Sequence, residues 1–193
     1  MNKFILTIIG VLSITTLQAQ QLIKCDSSTT YWVIAQDKTH YTLKLNGKIQ
    51  TTPRKTLVVV NTNALQYLLL DKQPYAKAAE KKGDLRILIK QATKELEFFS
   101  AQFKKQLKAQ MQKIVLDNKK EALLWWYEMP EGMNESIIQQ VFLSVVINDK
   151  ILGVASVQAK DQKFEDIKGF LVTVLNTLKE VRSKRKLKKI CKY

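Results

Sequence analysis

The chain reads as an α+β protein: a mainly antiparallel sheet flanked by two amphipathic helices, with an N-terminal β-hairpin. Three observations carry that reading. Apolar runs at 114–116, 121–129, 137–147 and 151–159 follow one another closely. The breaks are turn residues, Asn118-Lys119-Lys120 and Asn148-Asp149, and one longer loop, PEGMNES. Strands joined by such short connections pair antiparallel. The stretch KELEFFSAQFKKQLKAQ sets Leu96, Phe99, Phe103 and Leu107 three or four residues apart, which is one stripe of a helix. Phe164, Ile167, Leu171, Val174, Leu178 and Val181 form a second such stripe.

The remaining elements follow in chain order. MNKFILTIIGVLSITTLQAQ carries one charge, Lys3, then an apolar run over 4–17, then Gln-Ala-Gln. That is the layout of a secretory signal, with residues 1–19 removed after Ala19. The run is too short for a membrane span, which needs about 20 apolar residues. Lys24 in front of Cys25 argues against a lipidated cysteine. TTYWVIAQDKTHYTLKLNGKIQTTP reads as strands, with Asn46-Gly47 as a hairpin turn. LVVV at 57–60 is a strand, and NALQYLLL at 63–70 fits a strand or a helix. Pro74 and Gly83 bracket a short helix. LRILIKQ at 85–91 looks like a strand. Asp161 is placed as the cap of the last helix, with Glu165 and Asp166 in its first turn. Residues 20–181 then form one domain, and 182–193 a basic C-terminal tail.

The net charge is +15, and its distribution is uneven. Residues 179–193 hold eight basic side chains against Glu180 alone. Such a block is a solvated tail or an interaction element. Outside the cytoplasm the available polyanions are anionic lipid headgroups, phosphorylated glycolipid and acidic polysaccharide. Lys184, Arg185, Lys186, Lys188 and Lys189 are the candidate polyanion-binding residues. Two cysteines, Cys25 and Cys191, are an even count in an oxidising compartment. They are expected to pair, which staples the tail to the N-terminal segment.

The run from Asp84 to Val181, and VFLSVVINDKILGVASVQAKDQKFEDIKGFLVTVLNTL above all, resembles the ending of the PsbP-like class of extracytoplasmic domains, which includes the DcrB lipoprotein. The resemblance implies a sheet flanked by helices and usually no catalytic centre. It carries over no functional residue.

Several chemistries lack their residues. His40 is the only histidine, so no multi-imidazole metal site can form within one chain, and no cysteine-rich zinc motif occurs. The glycines are too scattered to cradle a phosphate, and no G-x-S-x-G elbow exists. His40 reads as a solvent-facing strand residue, and a Cys25–His40 pair has nothing to activate it. Glu128, Glu131 and Glu135 cluster around MPEGMNE, where carboxylates are either solvated or paired for acid–base work. Trp125, Trp126 and Tyr127 are either core anchors or an exposed platform for a sugar ring or apolar ligand.

The expectation is therefore an exported, periplasmic or secreted, non-enzymatic protein. Its role would be binding or accessory, through a basic surface facing anionic lipid or glycolipid, with no catalytic residue, metal, cofactor or transmembrane helix in the mature chain. An extracytoplasmic enzyme using the loop carboxylates is the rival. Nucleic-acid binding is the second alternative, and it applies only if the signal is misread.

Overall fold

The computed structural model describes residues 20–36, 39–76 and 83–192. The leader expected at 1–19 lies outside them, as does most of the short helix expected between Pro74 and Gly83. The elements run β1 (Gln20–Lys24), β2 (Thr29–Gln36), β3 (Thr39–Asn46), β4 (Ile49–Thr51), β5 (Leu57–Val60) and β6 (Asn63–Asp71). Then follow α1 (Gln73–Ala76), α2 (Asp84–Phe103), β7 (Ala109–Val115), β8 (Glu121–Glu128), β9 (Ile137–Ile147) and β10 (Lys150–Ala159). The chain ends in α3 (Phe164–Asn176), β11 (Lys179–Val181), α4 (Lys184–Lys188) and a 3-10 turn at Ile190–Lys192.

Two antiparallel sheets result. The larger has the order β4-β5-β6-β10-β9-β8-β7, and the smaller β1-β2-β3-β11. The large sheet is apolar on both faces because β8, β9 and β10 are buried along nearly their whole length. One face packs under α2 through Leu123, Trp125, Tyr127, Phe142, Val146 and Ile151. Trp125 and Phe142 are cross-strand partners whose rings stack at 4.0 Å. The other face meets both α3 and the small sheet, which contributes Trp32, Ile34, Leu43 and Leu45. The α+β class and the flanking helices are as expected. The second sheet, built from the N-terminal hairpin with β1 and β11, is an addition.

Five local expectations are corrected. LRILIKQ is not a strand but the first two turns of α2. Its Leu85, Ile87 and Ile89 alternate, yet Leu88 continues at helical spacing into Ala92, Leu96, Phe99 and Phe103. No turn residue interrupts that longer stripe, and a long period outweighs a short one. The helix stops at Phe103 because Lys104 takes a left-handed conformation (φ 52°), with Lys105 N–H bonded to the Ser100 carbonyl at 3.1 Å. Leu107 therefore leaves the helix while still packing on the same cluster.

Asn46-Gly47 turns no hairpin. The hairpin is β2–β3, in register from Thr29↔Asn46 to Gln36↔Thr39. Gly47, at φ 117°, instead carries the chain from the small sheet to β4 in the large one. Asp161 does not cap α3. Lys163 stands at the boundary without a side-chain cap, and Gln162 organises the turn. Its side-chain oxygen accepts from Ala159 N–H at 3.0 Å, and its amide nitrogen donates to Asn63 at 2.8 Å. Finally, the α3 stripe does not reach Val181. Thr177 ends the helix, its hydroxyl donating to the Val174 carbonyl and accepting from Lys44 N–H at 2.8 Å. Residues 179–181 then straighten and pair with β3.

Candidate functional site

The C-terminal segment is built from a poor helix former held by its surroundings. KRKLKK, residues 184–189, places like charges four residues apart, Lys184 with Lys188 and Arg185 with Lys189, and such pairs oppose helix formation. Burial of Leu187, 8% exposed, and contact of α4 with β11 offset that repulsion. At about 100° per residue, Arg185 lies on the side away from Leu187, and Lys186 and Lys188 flank it.

The second hold is covalent. Cys25 and Cys191 stand as a disulfide, their Cα atoms 5.2 Å apart. Cys25 sits in a formed turn between β1 and β2. Its N–H bonds to the Thr29 carbonyl at 2.9 Å, and the Asp26 carboxylate accepts the N–H groups of Ser28 and Thr29, each at 2.7 Å. Those hydrogen bonds, the Ser28 backbone first, hold the Asp26 carboxyl below the usual range. The basic segment is thus tied to a preorganised turn.

The charges divide into two sets. Arg182 pairs with Glu180, which also accepts from Asn148. The Arg182 hydrogen bond is the main cause that lowers the Glu180 carboxyl. Lys184, Arg185, Lys186, Lys188 and Lys189 are all exposed, and no ion pair joins them to another described residue. The disulfide also ties the exposed Lys24, next to Cys25, to the segment that carries this cluster and the exposed Lys192. Lys24 was not among the sequence candidates, although the expected bridge already implied it: 167 positions separate it from Cys191 along the chain, and only that bridge joins them.

The other candidates scatter. Cys25 is committed to the bridge, so a Cys25–His40 pair does not exist. His40 is half-buried and not solvent-facing, because β11 lies beside β3 at the His40↔Val181 rung. Its Nδ1 is buried without a partner among the described residues. Trp125 and Tyr127 are core, 0% and 1% exposed. Trp126 is half-buried on the opposite face, its ring 4.7 Å from that of Phe164. Glu128 and Glu131 line a cleft with Lys105, Gln106, Gln110 and Trp126, whereas Glu135 stands outside its lining.

One residue the sequence reading missed is Glu95. It lies on the inner side of α2, over a cavity of about 20 Å³ lined by Gln66, Phe99, Phe142, Ser144 and Gly153. Desolvation pushes its carboxyl up to about 7. The neighbouring Gln91 amide pulls weakly the other way from outside hydrogen-bonding geometry, both its polar atoms being buried and unpaired among the described residues. The signal was present. Glu95 and Phe99 stand four residues apart, on one face of the helix read from Lys94 onward. Among the described residues, no group of three or more histidine, cysteine or carboxylate side chains is placed to hold a metal ion. No helix there is long and apolar enough to cross a membrane.

No family model and no curated protein matches the chain. Among solved structures it is similar to the solution structure of cyanobacterial PsbP (CyanoP) from Synechocystis sp. PCC 6803. The TM-score is 0.44 at 9% identity, over 89% of this chain and 98% of that one. At that level no residue of the cyanobacterial protein is carried over.

Proposed function

We propose that the protein is an exported, non-enzymatic binding or accessory protein whose C-terminal cations engage anionic lipid or glycolipid surfaces. One observation carries the reading: Lys184, Arg185, Lys186, Lys188 and Lys189 are exposed and unpaired on a segment held by Leu187 on one side and by the disulfide on the other. A held cluster loses less conformational entropy on binding than a free tail does. Each cation near an anionic surface contributes about 1 kcal/mol, so the cluster supports weak, reversible, salt-sensitive attachment with no lipid specificity. Export supplies the compartment in which the bridge persists and such surfaces are met.

The test is co-sedimentation with vesicles of phosphatidylcholine, alone or mixed with phosphatidylglycerol, at low and physiological salt. The native chain is compared with one in which the five residues are replaced by glutamine. Retention on the anionic vesicles, weakened by salt and lost in the glutamine chain, is expected. Equal retention of both chains would remove the segment from the mechanism.

A further inference from the structure

The cleft beside Trp126 absorbs two motifs that the basic surface leaves unused: the aromatic triplet and the acidic loop. Its volume is ≈ 580 Å³, within the range of about 300–1,000 Å³ typical of small-molecule sites. Register fixes its floor. Trp126 of β8 lies directly opposite Gln110 of β7, and directly opposed side chains of an antiparallel pair share a face about 5 Å apart. Glu128, two residues along β8, falls on the same face by strand alternation. The back of the indole is supported by Phe164. The walls are the chain after α2 and the loop after β8, tied together where Lys105 Nζ donates to the Glu131 carbonyl at 3.2 Å.

The chemistry of this lining is specific. An indole supplies an apolar platform with an electron-rich face. Around it, the side chains of Gln106, Gln110, Glu128 and Glu131 make no hydrogen bond with other described residues, so donors and acceptors stand free beside the ring. Lys105 and Lys108 balance the two carboxylates, which disfavours a strongly charged ligand. An apolar CH face rimmed by hydroxyl groups is the complement of such a surface.

We infer that the cleft between residues 105–110 and 126–131 is a binding site for an uncharged oligosaccharide, with Trp126 as the stacking platform and Gln110 and Glu128 bonding to hydroxyl groups. This site is independent of the cationic segment. The experiment is saturation-transfer NMR of the full chain with maltotriose, cellotriose and triacetylchitotriose in turn. At least one probe is expected to receive saturation from the protein. Gln110→Ala, an exposed edge-strand position, is expected to weaken that probe about tenfold, the scale of one well-made hydrogen bond. Trp126→Leu is expected to abolish it. The chain with the five C-terminal cations replaced by glutamine is expected to bind the sugar as the native chain does. No transfer from any of the three probes would overturn the inference, and so would native-like binding by Gln110→Ala or by a folded Trp126→Leu chain. Should Trp126→Leu not fold, Gln110→Ala alone decides. Loss of sugar binding in the glutamine chain would also overturn it, by placing the sugar on the cationic segment.

Discussion

Replacing Glu95 by glutamine is expected to stabilise the protein above neutral pH and to cost about 1 kcal/mol in acid, where a buried amide replaces a neutral carboxyl. The carboxyl has a folded-state value of about 7 against 4.5 for the unconstrained group, because burial penalises its charged form. Between those values the folded chain binds more protons than the unfolded chain. Stability from this group is therefore full below 4.5 and is lost as pH rises through about 7. At about 1.4 kcal/mol per pH unit, the gap corresponds to about 3 kcal/mol above pH 7. The glutamine amide carries a burial cost of its own, so the expected net gain is about 2 kcal/mol. Tyr127 and Tyr75 are the titratable groups that feel Glu95, and burial, their main influence, pushes both upward, out of the tested range. The difference between the two chains therefore reports on Glu95. Urea unfolding of both chains, from near pH 4.5 to about one unit above 7, provides the measurement. A difference that stays flat across that range would refute the argument that burial holds Glu95 neutral.

Three further outcomes are expected. Removing the disulfide by Cys25→Ala with Cys191→Ala should destabilise the chain by up to about 5 kcal/mol, from the loop-closure entropy of a separation of 166 residues; alkylation of the unreduced native protein, read by intact mass, should find no free thiol. Leu187→Ala should cost about 2 kcal/mol and expose the lysine-rich segment to trypsin before the rest of the domain, as limited proteolysis would show. If the leader is cleaved as expected, mass spectrometry of the protein isolated from its producing cells should place its first residue at Gln20, and retention of Met1 would reopen the nucleic-acid reading.

The strand meander from residue 121 onward was legible because alternation, β-branched residues and turn pairs all agree there, whereas Ala109 and Gln110 at the start of β7 read as the end of a helix. The two amphipathic helices were legible because their stripes run for several turns. The cysteine pairing followed from count and compartment, not from geometry. What could not be read was set by partners distant in the chain. LRILIKQ is compatible with two periods, and its helical state is decided by packing Leu88 and Ala92 on the large sheet. Leu178 and Val181 continue a helical spacing, yet residues 179–181 become a strand because β3 offers an open edge at Tyr41 and Thr42. Asn46-Gly47 announces a change of direction but not the sheet that receives the next strand. The candidate sites divide in the same way. The basic run is a local property of twelve residues, and the sequence alone shows it. Lys24 joins that cluster through the expected bridge, whereas the burial of Glu95 and the meeting of Trp126 with Gln110 and Glu128 depend on register and on chain crossings. Pairing register and helix packing, fixed only when distant segments meet and bury their apolar faces, chose those neighbours.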